Sequence, residues 1–216
     1  MRNILVLLVA LLPLAAQAQY KSEYRVFKIT IDGHDAGTYT QTITTYGEGT
    51  TDFFGKSDVK IKVLGITYQQ AFRGQERWKD GKLLHLSSAS NDNGTPHTLV
   101  IDPINGQLKV KADGKERMNQ PNVWSTSYWT LPPEDQRDKT VYILDADSGI
   151  EMAVKLQNMG KESQIVNGQR VTCTHYKLNA GNTSDLWFDE NDRLVRRDGI
   201  RKGKKVSLML VSSSIK

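Results

Sequence analysis

The feature that most restricts the fold of this chain is a set of seven Asx-Gly pairs. Both central residues of a type I′ turn need positive φ, which Asp, Asn and Gly tolerate best, so such pairs favour two-residue β-hairpins. Between Asp80 and Asp113 the pairs recur every 8 to 13 residues, close to the spacing of short antiparallel strands. We therefore predict a succession of hairpins. The pairs begin at Asp32, Asp80, Asn93, Asn105, Asp113, Asn167 and Asp198.

The segments between these pairs alternate between apolar and polar residues. Val59, Ile61 and Val63 share one face of a predicted strand, while Lys60 and Lys62 take the other. This alternation predicts sheets with one buried face and one face in water. The same pattern recurs in rows that begin at Leu108, Met152 and Val206. Further strands are predicted at residues 24–31, 38–45, 67–72, 83–88, 141–144, 171–178, 186–188 and 194–197.

Helical periodicity is nearly absent from the chain. The best helix candidate is residues 122–131, which prolines bound on both sides, and residues 134–138 could add a further turn. We predict a single all-β domain over residues 19–216, either a large curved antiparallel meander sheet or a half-open barrel, with one short helical insert. One cysteine excludes an internal disulfide, and one cysteine with four histidines disfavours a structural zinc site.

Residues 1–18 have the organisation of a cleaved export signal. Arg2 precedes a short apolar stretch over residues 4–14, and Ala16-Gln17-Ala18 matches the small-x-small pattern that a signal peptidase cleaves. The stretch is shorter than the roughly 20 residues that span a bilayer. We predict cleavage after Ala18 and a periplasmic protein, for which a nucleic-acid partner is disfavoured.

A basic segment near the C-terminus carries seven cations and one acid, Asp198, within residues 193–205. We predict that it contacts an anionic surface such as lipid head groups. The alternative is a solvated hairpin whose charges protect a sheet edge from pairing with other chains. The residues assigned to the anionic contact are Arg196, Arg197, Arg201, Lys202, Lys204 and Lys205.

Trp124, Tyr128 and Trp129 form the densest aromatic cluster in the chain. We predict that they lie at the mouth of a ligand groove, on the short insert. The alternative is that these rings anchor the insert to the sheet, since large aromatic side chains often serve as packing anchors.

Candidate catalytic groups are few. Cys173 and His175 share one strand face about 7 Å apart, but a buried cysteine beside a satisfied histidine explains them better than a nucleophile does. The acidic segments 145–149 and 189–192 lack the full ligand spacing of a calcium loop and are interpreted as capped turns. We therefore predict no catalytic residues, no metal site, no cofactor and no enzymatic activity.

A set of short motifs carries a resemblance to a known family: residues 31–33, 36–38, 72–74, 78–81, 91–94, 123–129, 144–149, 173–176 and 185–189. Over residues 24–207 the chain resembles a family of uncharacterised exported bacterial proteins, known as a domain of unknown function. That family has no established activity, so the resemblance implies no site residues. The succession of long strands is also similar in architecture to half-open barrels that carry lipids or lipoproteins across the periplasm, although fold alone does not assign function.

The apolar strand faces need cover that the sequence does not provide as helices. A single sheet must then curl on itself, pair with another chain, or enclose a ligand. We predict an exported protein that binds or carries a hydrophobic, acyl-chain-like ligand in the concave face of a half-barrel. The alternative is a structural or interaction protein of the cell envelope, with a protein partner and no small-molecule ligand.

Overall fold

β-Strands dominate the computed structural model, which describes residues 20–63, 66–180 and 182–215. The predicted export signal, residues 1–18, lies outside these described residues. The strands of the first half of the chain are β1 (Tyr20–Ile31), β2 (His34–Tyr46), β3 (Thr50–Val63), β4 (Ile66–Lys79), β5 (Lys82–Asp92), β6 (Thr95–Ile104), β7 (Gln107–Ala112) and β8 (Lys115–Asn119). The strands of the second half are β9 (Trp124–Ser125), β10 (Thr140–Leu144), β11 (Glu151–Val166), β12 (Gln169–Ala180), β13 (Asn182–Phe188), β14 (Leu194–Arg201) and β15 (Lys204–Ile215).

Within the described residues, these strands form one sheet. Its order is β8-β7-β6-β5-β4-β3-β2-β1-β15-β14-β13-β12-β11-β10-β9. Sequence neighbours pair antiparallel with two exceptions: β9 and β10 pair parallel, and β8 and β9 lie at opposite edges of the sheet. At the centre, β1 pairs antiparallel with β15. The prediction of an all-β meander is confirmed: the sheet is large and does not close into a barrel, since no ladder joins edge strands β8 and β9 among the described residues.

Six of the seven Asx-Gly pairs form the predicted two-residue hairpin turns, with positive φ at both positions. The prediction is wrong for Asp198-Gly199, which lies inside β14. The turn falls instead at Lys202-Gly203, where Lys202 has φ of +50°. Gly199 faces the neighbouring strand β13, and a Cβ at this position would lie 2.8 Å from Ser184 Oγ. The Ser184 side chain occupies the space that a side chain at this position would take.

The predicted helix over residues 122–131 does not form. Trp124 and Ser125 instead make the short strand β9, and Tyr128 has φ of +47°, in the left-handed region that a helix excludes. Backbone carbonyls in this segment accept hydrogen bonds from side chains of the sheet, as described below. The helical turn of the described residues lies further along, as a 3-10 turn at Glu134–Gln136.

The sheet curls so that non-neighbouring strands share one core on its inner face. One cluster joins Phe27 on β1, Val59 on β3 and Leu156 on β11, and a second joins Leu86 on β5 with Leu144 on β10. A smaller cluster of Cys173, Trp187 and Val195 lies on the outer face. Curling thus removes the inner apolar rows from water without a layer of helices.

Candidate functional site

Residues 122–131, here called the plug, fill one part of the concave inner face. Polar side chains from three strands of the sheet hold the plug by its backbone and hydroxyl groups. Arg25 Nη1 donates to the Trp129 carbonyl at 2.6 Å, and Gln41 Nε2 donates to the Ser127 carbonyl at 2.9 Å. Ser125 Oγ donates to Glu76 Oε1 at 2.7 Å. Buried polar groups need such partners, so these bonds fix where the plug sits.

Glu76 is the buried acid of this contact, with 3% of its surface exposed. Burial raises its pKa, although hydrogen bonds from Ser125 and from the Trp78 indole N–H at 2.7 Å favour the ionised form. The carboxyl therefore joins β4 to β9 from inside the core. A carboxyl in such surroundings is tolerated only while its partners stay in place.

A cavity of about 680 Å³ opens beside the plug, on the same inner face. The strands supply a mostly apolar wall, the plug supplies Thr126, Ser127 and Tyr128, and the turn over residues 145–147 closes another side. Volumes of this size suit a small-molecule ligand with a large apolar part. The apolar residues of the wall are Ile29, Ile31, Val59, Ile61, Phe72, Leu194, Ile200, Val206 and Leu208.

The predicted aromatic residues do not share one position. Tyr128 lines the cavity. Trp124 is buried beneath Tyr128, and the centroids of the two rings lie 4.9 Å apart. Its indole N–H donates to the Thr130 carbonyl at 2.8 Å. Trp129 packs edge-on against Trp78, with ring centroids 6.4 Å apart. The two tryptophans thus anchor the plug, and the tyrosine faces the cavity.

The predicted basic segment divides between the two faces of the sheet. Arg196 lies on the outer face, where its guanidinium is 4.9 Å from the Trp187 ring and bonds to Asp198. Lys205 is exposed and does not line the cavity. Four of the six predicted cations line the cavity: Arg197, Arg201, Lys202 and Lys204. The structure thus brings Tyr128 of the aromatic set and these four cations to one site.

A bulge in β14 decides which arginine faces inward. Leu194 packs in the inner core and Val195 in the outer cluster, and strict alternation would then turn Arg196 inward. The ladder with β13 shifts register between Trp187 and Phe188, so that Phe188 pairs with Leu194 and Trp187 with Arg196. A bulge of this kind inverts the facing of every residue beyond it. Arg197 consequently faces the cavity, where alternation alone would have placed Arg196.

The acidic segments act as turns in the described residues. Asp145 Oδ1 accepts hydrogen bonds from the Asp147 and Ser148 backbone N–H groups and from the Ser148 hydroxyl. Asp189 Oδ1 accepts from the Asn191 and Arg193 backbone N–H groups. Both carboxylates therefore cap their own loops, as the sequence predicted.

Cys173 lies in the outer cluster with 1% of its surface exposed. Burial raises the pKa of its thiol to about 11, and Asp189 contributes to the rise. Because the thiolate is the reactive species, we expect the folded protein to resist alkylation by iodoacetamide near pH 8, and the unfolded protein to react fully. Intact mass before and after denaturation measures this difference. Rapid alkylation of the folded chain would contradict the burial described here.

Comparison with solved structures identifies this fold in another protein. A beta-barrel-like protein of domain of unknown function DUF1849 from Brucella abortus aligns with a TM-score of 0.64 and 11% identity, covering 90% of this chain and 98% of that chain. At this identity the similarity shows the fold alone. A putative outer membrane lipoprotein-sorting protein domain from Vibrio parahaemolyticus aligns with a TM-score of 0.23 and 7% identity over 90% of this chain and 85% of that chain, too low a score to support any conclusion.

Comparison with sequences gives the family. A search of curated proteins found no match. Residues 27–211 match a family model described as a domain of unknown function, DUF6134. The match extends over most of the chain and confirms the resemblance drawn from the sequence motifs. The chain therefore belongs to the DUF6134 family.

Proposed function

We propose that this chain is an exported protein that binds a hydrophobic, acyl-chain-like ligand in the cavity between the sheet and the plug. The observation that carries the proposal is an opening of about 680 Å³ in a concave face that is otherwise filled by its own side chains. A concave, mostly apolar opening of this size is typical of small-molecule binding sites.

The chemistry of the wall favours an acyl chain over a polar ligand. Aliphatic side chains from β1, β3 and β15 converge there, among them Ile29, Ile61 and Leu208. Each CH₂ group that moves from water into such surroundings contributes about 0.8 kcal/mol. A chain of ten or so carbons would thus gain enough for tight binding even after the cost of ordering the ligand.

Export rests on the pattern of residues 1–18 and is part of the proposal. Among the described residues, no helix is long and apolar enough to cross a membrane. A carrier of apolar ligands is useful in the aqueous space of the envelope, because free acyl chains are poorly soluble there.

Leu208→Trp tests the proposal by filling the cavity. Leu208 is half-buried on the inner face of β15, so a larger side chain there would occupy space that an acyl chain needs. We expect the delipidated wild type to bind dodecanoic acid at about one molecule per chain, and the variant to bind about tenfold more weakly or not at all. Isothermal titration calorimetry measures both.

Met209→Trp is the matched control, because Met209 is the next residue on the same strand and does not line the cavity. This variant should bind dodecanoic acid as the wild type does. If the wild type binds neither dodecanoic acid nor a phospholipid, the proposal fails and the interaction-protein alternative takes its place. Equal loss in both variants would likewise count against the cavity as the binding site.

A further inference from the structure

Most charges around the cavity are already neutralised within the chain. Lys204 Nζ lies 3.1 Å from Asp32 Oδ2, and Lys202 Nζ lies 2.5 Å from Asp92 Oδ2. Arg201 Nη2 lies 3.4 Å from Asp147 Oδ2. Among the cations that line the cavity, these three therefore already have acidic partners.

Arg197, the fourth of these cations, differs from the other three in its surroundings. Among the described residues, no carboxylate lies within 4.0 Å of its guanidinium, and no side chain or carbonyl accepts a hydrogen bond from it. The guanidinium lies over the Tyr128 ring, 5.2 Å from its centroid, and the residue is half-buried in the cavity wall. A guanidinium carries five N–H donors, so most of its hydrogen-bonding capacity is left for a ligand.

The plug adds a second polar group to the cavity lining. Ser127, next to Tyr128 in the plug, has 6% of its surface exposed. Its hydroxyl has no hydrogen-bond partner among the described residues, although it lies near Glu76. Because this hydroxyl is buried beside the Glu76 carboxyl, the Arg197 guanidinium is the donor that remains accessible to a ligand.

The acidic turn over residues 145–147, which is hydrogen-bonded to Thr126 of the plug, disfavours an anion. Asp147 Oδ1 is buried there without a hydrogen-bond partner among the described residues. Asp145 also lines the cavity, though its carboxylate caps its own turn. An anionic group is therefore assigned to the Arg197 guanidinium, away from these two carboxylates, and the apolar wall of β1, β3 and β15 is left for the rest of the ligand.

We propose that the ligand is an anionic amphiphile, whose carboxylate or phosphate head group binds Arg197 while its acyl chain fills the cavity. The planar guanidinium offers paired donors that match the oxygens of either head group. Its position over an aromatic ring in a half-buried wall limits screening by salt. This inference rests on the proposed function and specifies its ligand class.

Dodecanoic acid, dodecyl phosphate and dodecanol test it, because they share one chain and differ in the head group. At about pH 8 the first two are anionic and the third is neutral. We expect the wild type to bind both anions at least about tenfold more tightly than the alcohol. In Arg197→Gln, the acid and the alcohol should bind with equal affinity, because the variant keeps the apolar wall but lacks the charge.

Arg196→Gln is the matched control, since Arg196 precedes Arg197 but lies on the outer face. It should keep the preference for anions, and so should Arg197→Lys in part. Circular dichroism establishes that each variant is folded before titration.

If the wild type binds the alcohol as tightly as the acid, the proposal of an anionic head group is overturned while the proposed function stands. If none of the three binds, the proposed function fails as well. Preference for phosphate over carboxylate, or the reverse, identifies the head group.

Discussion

Glu76→Ala is expected to lower the free energy of unfolding by about 3 kcal/mol or more. The substitution leaves the Ser125 hydroxyl and the Trp78 indole N–H without their buried acceptor. It also opens a space between β4 and the plug. The substitution also removes the cost of burying the carboxyl, which offsets part of this loss. Removal of one partner from a buried network is nevertheless usually strongly destabilising.

The same carboxyl gives the stability a characteristic dependence on pH. Burial raises the pKa of Glu76 in the folded protein above its ordinary value. The carboxyl therefore contributes stability that is fully present below the unfolded-state pKa and is lost as pH rises through the folded-state pKa. Glu76→Gln has no such titration, so the wild type should lose stability relative to this variant as pH rises above the ordinary range of a glutamate, about 4.

Urea unfolding at several pH values measures both effects. Glu116→Ala is a suitable control for the truncation, because Glu116 is a half-exposed acid of β8 that pairs with Lys109. Its loss should change stability by less than about 1 kcal/mol. A Glu76→Ala variant as stable as the control, or a Glu76→Gln variant whose stability follows the wild type across the pH range, would contradict the role given to the buried acid.

Trp124→Ala is expected to destabilise the chain by about 3 to 5 kcal/mol. The indole is buried, packs against Tyr128 and Phe188, and donates to the Thr130 carbonyl. Its removal leaves a large space beneath the plug and an unpaired carbonyl. The plug should then loosen, and with it the Tyr128 wall of the cavity, so binding of dodecanoic acid should weaken as well.

Thermal unfolding and calorimetric titration of the same variant separate these two effects. Tyr142→Ala is the control, because Tyr142 lies on the neighbouring strand β10 with 42% of its surface exposed. This change should cost little stability and leave binding intact. A Trp124→Ala variant that is no less stable than Tyr142→Ala would show that the tryptophan does not anchor the plug.

The hairpins and strands were predictable because their signals are local. Pairs such as Asn93-Gly94 specify a turn through the φ values of two adjacent residues, whatever surrounds them. Alternation over residues 59–63 likewise depends on neighbours within one strand. Asp198-Gly199 shows the limit of this reasoning, since the pair lies inside β14, where Gly199 is opposite Ser184 of another strand.

The plug could not be predicted, because its contacts join residues far apart in the sequence. Arg25, Gln41 and Glu76 lie on three different strands, and nothing in their local sequence indicates that they face inward toward one segment. The alternation of polar and apolar residues assigns polar side chains to the outer face of a strand. It therefore gave no indication that these three side chains face inward. The segment therefore resembled a short helix between prolines.

The sequence did not show how the basic segment divides between the two faces of the sheet, because a single bulge in β14 determines it. From sequence alone, Arg196 and Arg197 are two members of one charged run. Their facing depends on a register shift between Trp187 and Phe188 in the neighbouring strand. Such shifts arise from pairing across the sheet, so only the assembled ladder assigns Arg197 to the cavity and Arg196 to the outer face.

Native mass spectrometry of the protein isolated from its own cells tests the central claim most directly. We expect a population that carries the added mass of one anionic amphiphile per chain, which organic extraction removes and dodecanoic acid restores. Leu208→Trp, isolated in the same way, should carry the mass of the bare chain. A wild-type protein that shows only the bare mass, both as isolated and after incubation with dodecanoic acid, would contradict the account.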